Sequence, residues 1–294
     1  MVEEINSFVR YMHEVKHTSQ NTEVSYQRDL LKLSAFLEQQ GITDVKKVTK
    51  TSLNSYILLL EQEGKATTTI SRSIASMKAF FHYEFKEGNI RRDPAELLHA
   101  PKIEKKMPEI LSVSEMSSLL NQPDGKTPKE LRDKAMLELL YATGIRVTEL
   151  INLKLSDINM QLGYICCDDG HKTRMVPFGK VAKTALAEYL EKGRGYLVKE
   201  ETQERLFTNC SGNAMSRQGF WKLIKYYGSK AGIEMDITPH TLRHTFAAHL
   251  IENGADIHAV QEMLGHSDIA TTQMYAVYGT KNMRDTYEGA HPRR

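Results

Sequence analysis

Apolar residues recur at helical spacing through the first hundred positions. Ile5, Phe8, Val9 and Met12 form one set, and Leu30, Leu31, Leu33, Phe36 and Leu37 another, the pattern of a helix with one buried face. Gly41, Gly64 and Gly88 each follow such a run, where a helix ends on a left-handed residue that glycine adopts without steric cost. Four short helices are predicted, the fourth over residues 67 to 86. That helix carries Thr67, Thr68, Thr69, Ser71, Arg72, Ser73 and Lys78. These are hydroxyls and cations of the kind that touch phosphate, although a solvated polar face has the same composition.

The periodicity then fails. Residues 91 to 111, RRDPAELLHAPKIEKKMPEIL, hold three prolines and a run of charge, as an interdomain connector does. With the boundary near residue 105, the reading is a helical domain over 1–100, a linker over 101–110 and a second domain over 111–294. Helical patterns resume at 113 to 121, 127 to 142 and 147 to 154, the second stopped by Thr143 and Gly144. The stretch YICCDDGHKTRMVPFG places two short strands around an Asp-Gly turn, with Pro177 suited to an edge. Further helices are predicted at 181 to 191 and 215 to 231 and through the remainder. The fold class is mainly α with a small β-hairpin.

Composition narrows the function classes. Of 294 residues, 40% are apolar and 26% charged, ordinary values for a globular protein of two domains. No apolar run approaches the roughly 18 residues that cross a bilayer, and the start, MVEEINSFVRYMHE, carries acids where a signal peptide has basic residues. Cytoplasmic residence without a membrane partner is expected. Cys166 and Cys167 are adjacent and Cys210 stands alone, which suits neither a disulfide framework nor a tetrahedral zinc site. Net charge is only +2, so composition by itself does not identify a nucleic-acid binder. Small basic clusters such as Lys102, Lys105 and Lys106 are more often a solvated face.

Chemistry concentrates in ITPHTLRHTFAAHL, residues 237 to 250, where His240, Arg243, His244 and His249 crowd an otherwise apolar segment. Thr238 before Pro239 matches an N-cap with proline at the first helical position, and Gly254 lies where this helix ends. His240 and Arg243 then share one face of the first turn, over a stripe of Leu242, Phe246 and Leu250. Free N–H groups and the positive end of the helix dipole make that turn a place for an anion. Cations there cost stability unless an anion is present. A capping histidine with a surface arginine is the competing reading on this segment alone. Two other segments repeat the theme. In YATGIRVTEL, Arg146 opens a helix just after Gly144, with Glu149 three residues on to hold its side chain. In MLGHSDIATTQMYAVY, Gly265 ends a helix, His266 sits in the turn, Ser267 is an N-cap and Tyr275 lies on the helix that follows.

Arg146, His240 and Arg243 in HTLRH, His266 in LGH and Tyr275 nine residues later together resemble the tyrosine recombinase (phage integrase) family. Within it the chain is most similar to the Xer-type enzymes. The resemblance covers nearly the whole chain and implies a two-domain DNA clamp, a helical SAM-like N-terminal domain plus a catalytic domain. It also implies that Tyr275 attacks a DNA phosphodiester to leave a 3′-phosphotyrosine and a free 5′-hydroxyl. Arg146 and Arg243 would bind the non-bridging oxygens, His240 would exchange a proton with the tyrosine, and His266 would donate to the phosphate. Tyr278 is the alternative nucleophile.

One position departs from the family. A catalytic lysine is expected in the hairpin, and alignment on Met175, Val176 and Pro177 sets Asp169 there. Lys172 is the nearest cation able to protonate the leaving oxygen, with Arg174 as alternative. A DNA-binding homologue with impaired chemistry is thus the second reading. A metal-dependent hydrolase is the third, and no zinc-protease histidine motif supports it. The expected partners are double-stranded DNA carrying a specific site and a homo- or hetero-tetramer on it, with a possible second recombinase. Residues 281 to 294 are a candidate tail passed to a neighbour. No cofactor and no metal are expected, since no P-loop or acidic two-metal cluster is present.

Overall fold

The computed structural model describes residues 1–102, 107–168, 173–200, 203–266 and 268–279. The chain divides into two compact units, Met1–Lys106 and Met107–Arg294.

Among its described residues the first unit holds four α-helices, α1 (Val2–Glu14), α2 (Gln20–Gln39), α3 (Lys50–Gln62) and α4 (Thr67–Lys86). Ser19 and Thr49 cap α2 and α3, each accepting a hydrogen bond from an N–H of the first turn, which would otherwise have no partner. Ile5, Phe8, Leu30, Leu33, Leu53, Met77 and Phe80 form the core, with Phe8 edge-on to Phe80 at 5.6 Å. Leu31 and Phe36, grouped with the buried set by their spacing, lie at the margin, Leu31 exposed and Phe36 half-buried. The polar face of α4 is spent within this unit. Arg72 makes two hydrogen bonds to Asp29, at 2.8 and 3.0 Å. Lys78 donates to the carbonyls of Glu96 and Leu98, Ser71 to that of Pro101, and Ser73 is buried. Thr67 and Thr68 remain exposed.

The second unit is organised around α6 (Pro128–Thr143), preceded by α5 (Val113–Leu120). Thr127 caps α6 with proline at its start, as the missing N–H of proline is harmless there. Ala135, Met136, Leu137, Leu139 and Leu140 are fully buried, so α6 is apolar round most of its circumference and lies inside the unit. Gly144 closes it at φ 59°, and a Cβ there would lie 2.1 Å from Cδ1 of Phe246. Both its conformation and its contact demand glycine.

Then come α7 (Val147–Asn152), a 3₁₀ turn over Leu155–Asp157, and an antiparallel sheet of order β1-β2-β3 made of Ile158–Asn159, Tyr164–Asp168 and Thr173–Pro177. The sequence indicates only the hairpin β2–β3 and runs α7 on to residue 154. β1 is two residues long, too short for an alternating pattern to show. Ile165, Cys167, Arg174 and Val176 face inward. Asp169 and Lys172, which fall between β2 and β3 in the sequence, lie outside the described residues.

The remaining elements are α8 (Lys180–Lys192), which packs on α6, α9 (Arg194–Leu197), α10 (Arg217–Lys230), α11 (Pro239–Glu252), α12 (Ile257–Leu264), α13 (Ala270–Gln273) and α14 (Ala276–Gly279). Helix α11 packs against α6, α12 and α14. Among the described residues no helix is long and apolar enough to cross a membrane.

Candidate active site

The segment 237–250 forms α11 as its residues dictate. Thr238 accepts from Thr241 N–H at 3.1 Å while its own N–H donates to Thr241 Oγ1, also at 3.1 Å, and Pro239 opens the helix. The predicted stripe is too narrow. Leu242 and Phe246 are buried and Leu250 half-buried, but Thr245, Ala247, Ala248, His249 and Ile251 are buried as well. His249 is a core residue. Its Nε2 faces the Leu111 carbonyl at 3.0 Å and its Nδ1 the Tyr141 hydroxyl at 2.8 Å. A carbonyl can only accept, so Nε2 carries a proton and donates it to Leu111.

His240 and Arg243 separate despite their spacing. His240 is exposed, whereas Arg243 turns inward and is 7% exposed. Its Nη1 donates to Gly144 O at 2.7 Å and its Nη2 to Leu264 O at 2.5 Å. Burial, then the Arg146 charge, brings its pKa down to about 10, so it remains a cation at neutral pH. Partial loss of solvent on the side facing the protein, then the charges of Arg243 and Arg217, hold His240 below its ordinary value.

Arg146 is the N-cap of α7. Glu149 accepts its backbone N–H at 2.6 Å and its Nη1 at 3.1 Å, and Nη2 donates to Gly265 O at 2.8 Å. The same two Glu149 oxygens also accept from Arg174, at 2.8 and 2.9 Å, and Arg174 Nε donates to Met263 O at 2.9 Å. Burial works to raise the Glu149 pKa, but the hydrogen bonds from Arg174 and from Arg146 N–H, with both guanidinium charges, prevail and leave it below the ordinary carboxylate value. Three arginines from three elements thus end on Met263, Leu264 and Gly265, consecutive carbonyls at the C-terminus of α12. Those carbonyls have no acceptor role inside the helix and carry its negative dipole end. Gly265, left-handed at φ 64°, makes room. A Cβ there would sit 2.8 Å from Cζ of Arg174.

His266 follows in the turn. Its Nδ1 is 2.9 Å from Oγ1 of the buried Thr272. Burial, then Arg243 and Arg146, depress its pKa to about 4, so the ring is neutral at pH 7. Ser267 lies outside the described residues. Tyr275 is in the turn between α13 and α14 rather than on a helix, and is 1% exposed among Phe246, Ala248, Val260 and Leu264. Its hydroxyl is hydrogen-bonded to His244 Nδ1. The structure therefore gathers Arg146, Arg243, His266 and Tyr275 around the end of α12, with His240 at the rim and Glu149 holding Arg146 as expected; it ties Arg174 to Glu149 and adds contacts from His244 and Thr272. His244 follows Arg243 directly, a position whose only sequence signal is a histidine in a buried helix.

Beside Arg146, a cavity of about 770 Å³ is lined by residues including Lys154, Asp157, Cys166 and Thr173 and opens along the hairpin.

Residues 109–280 match the model of the phage integrase family, and residues 5–88 that of the phage integrase N-terminal SAM-like domain. A protein of Halalkalibacterium halodurans named tyrosine recombinase XerD is 43% identical over 98% of this chain and 97% of its own length. A protein of the same name from Listeria monocytogenes is 40% identical over 98% of both. Among solved structures, the crystal structure of XerA recombinase is 29% identical over 99% of both chains, with a TM-score of 0.55. The Tn1549 transposon integrase in complex with transposon right end DNA is 20% identical, covers 98% and 99%, and shares the fold with a TM-score of 0.76. These likenesses support the recombinase reading and lend none to a homologue with impaired catalysis. The chain belongs to the phage integrase family: it is a Xer-type tyrosine recombinase, an enzyme of site-specific DNA recombination.

Proposed function

We propose that this enzyme cuts and rejoins double-stranded DNA at a specific site through a 3′-phosphotyrosine on Tyr275, without metal or ATP. The observation that carries the proposal is the pair Arg146 and Arg243, hung side by side from Gly265 and Leu264. A guanidinium has five N–H donors, and among the described residues each of these two gives two of its side-chain groups to the protein. The others suit the non-bridging oxygens of one phosphodiester, whose charge grows in the transition state. His266, neutral and held at Nδ1 by Thr272, supports the same reading, since a ring that accepts from the threonine keeps its proton on Nε2 for a phosphate oxygen.

The covalent link conserves the energy of the diester, so a 5′-hydroxyl reverses the step. Lys172 protonates the leaving 5′-oxygen, an assignment that rests on the sequence alone. Arg174 is unsuited to that task because all three of its nitrogens are engaged with Glu149 and Met263. Four protomers act together on paired sites. The 40–43% identity to proteins named XerD, against 20% to a transposon integrase, favours resolution of replicon dimers in chromosome partition over element integration.

The deciding experiment is incubation with a nicked suicide duplex carrying a candidate site. The expected result is a covalent protein–DNA band on a denaturing gel. A band that persists in Tyr275→Phe, or cleavage that depends on added Mg²⁺, overturns the proposal.

A further inference from the structure

The Tyr275 hydroxyl is held by His244 Nδ1. The two rings are 5.7 Å apart between centroids, and His240 lies beyond His244 at 6.4 Å from it. A phenol with an ordinary pKa near 10 is a poor nucleophile at neutral pH unless a base within hydrogen-bond reach takes its proton as the new bond forms. Among the described residues, His244 is a base seen within that reach. We infer that His244 accepts the Tyr275 proton during strand cleavage and returns it on rejoining. The inference rests on the function proposed above and deepens it by placing this role on His244 rather than His240.

The electrostatics of the site agree. Burial, then His240 and Arg243, bring the pKa of His244 down to about 4, so without substrate the ring is neutral and able to accept. The groups that face it are His240 and Arg243 on its own helix, Tyr275 from the α13–α14 turn and His266 at the end of α12. Arg243 is also one of the two cations assigned to the phosphodiester. An anion bound there offsets the charge that opposes protonation of His244, so the base strengthens when the substrate arrives and stays weak before it does.

The Tyr275 O–H bond breaks and its proton passes to His244 Nδ1, while an oxygen lone pair forms the O–P bond. The P–O5′ bond breaks, its electron pair stays on the 5′-oxygen, and that oxygen takes a proton from the acid assigned to Lys172. Rejoining reverses each transfer.

His244→Asn tests this on the full-length protein. The asparagine amide oxygen reaches the position of Nδ1 and accepts the hydrogen bond but takes no proton. Expected are wild-type DNA binding in a mobility shift and single-turnover cleavage of the suicide duplex about 100-fold slower. The remaining rate should climb with rising pH, because a phenol left without its base reacts faster once ionised. A substrate with sulfur at the bridging 5′ position, whose thiolate leaves without an acid, should not restore the variant. Imidazoles added to His244→Ala should restore cleavage in proportion to their basicity, which guards against loss through misfolding. Wild-type rate and pH profile in His244→Asn, or restoration by the sulfur substrate, would sink the inference while leaving the recombinase function standing. No covalent adduct from the wild type would remove both.

Discussion

Arg146 and Arg243 hydrogen-bond to adjacent carbonyls, Gly265 O at 2.8 Å and Leu264 O at 2.5 Å, although 97 positions separate them in the chain. Arg174 takes the preceding carbonyl, Met263 O. Like charges this close repel, and the partial negative charge at the end of α12, with the Glu149 carboxylate, offsets that repulsion before any phosphate is bound.

Gly265→Ala is expected to reduce cleavage about tenfold, equivalent to about 1.4 kcal/mol of barrier. The new methyl is strained at φ 64° and meets the Arg174 guanidinium. Gly254→Ala is the comparison, because Gly254 has φ 85° with open space around it. It should lose stability from backbone strain alone and keep its cleavage rate, as read in single-turnover assays beside thermal unfolding.

Arg174→Met leaves Glu149, 8% exposed, without the two hydrogen bonds and the ion pair it takes from Arg174. Breaking a buried pair in this way costs about 3 kcal/mol, measurable by chemical unfolding. Cleavage should fall as well, since Glu149 also positions Arg146.

Acid should destabilise the second unit in two stages. His244 and His266 have folded values of about 4 against an ordinary 6.5, so the unfolded chain takes up protons first. Their contribution is complete above pH 6.5 and is lost as pH falls through 4. Unfolding measured across this window should show uptake of about two protons, reduced by about one in His266→Asn. Glu149, depressed below 4.5, adds a second loss at lower pH.

Lys172→Ala should slow cleavage at least about 100-fold, the usual contribution of a general acid, and a bridging-sulfur substrate should restore it. Unchanged cleavage removes Lys172 from the mechanism. In parallel, Tyr275→Phe should abolish the covalent adduct and Tyr278→Phe should not, with chelator present throughout.

Much of the site was legible in the sequence, because its parts are local. Thr238 and Pro239 announce the start of α11, Gly144 and Gly265 the ends of α6 and α12, and the three-residue spacing of Arg146 and Glu149 their contact. The inward turn of Arg243 was not, because its acceptors are main-chain carbonyls that every residue possesses. His244 was hidden for a related reason. In a helix buried almost all round, periodicity does not say which side chain meets Tyr275, and that tyrosine comes from a turn rather than the predicted helix.

Acceptors that belong to the backbone cannot be deleted by mutation. The rail of three oxygens at residues 263–265 is lost only if α12 shifts bodily, and what fixes α12 is apolar packing through Val260 and Leu264. Trimming either side chain, neither of them chemically reactive, should therefore register as a weakened grip on phosphate before it registers as unfolding.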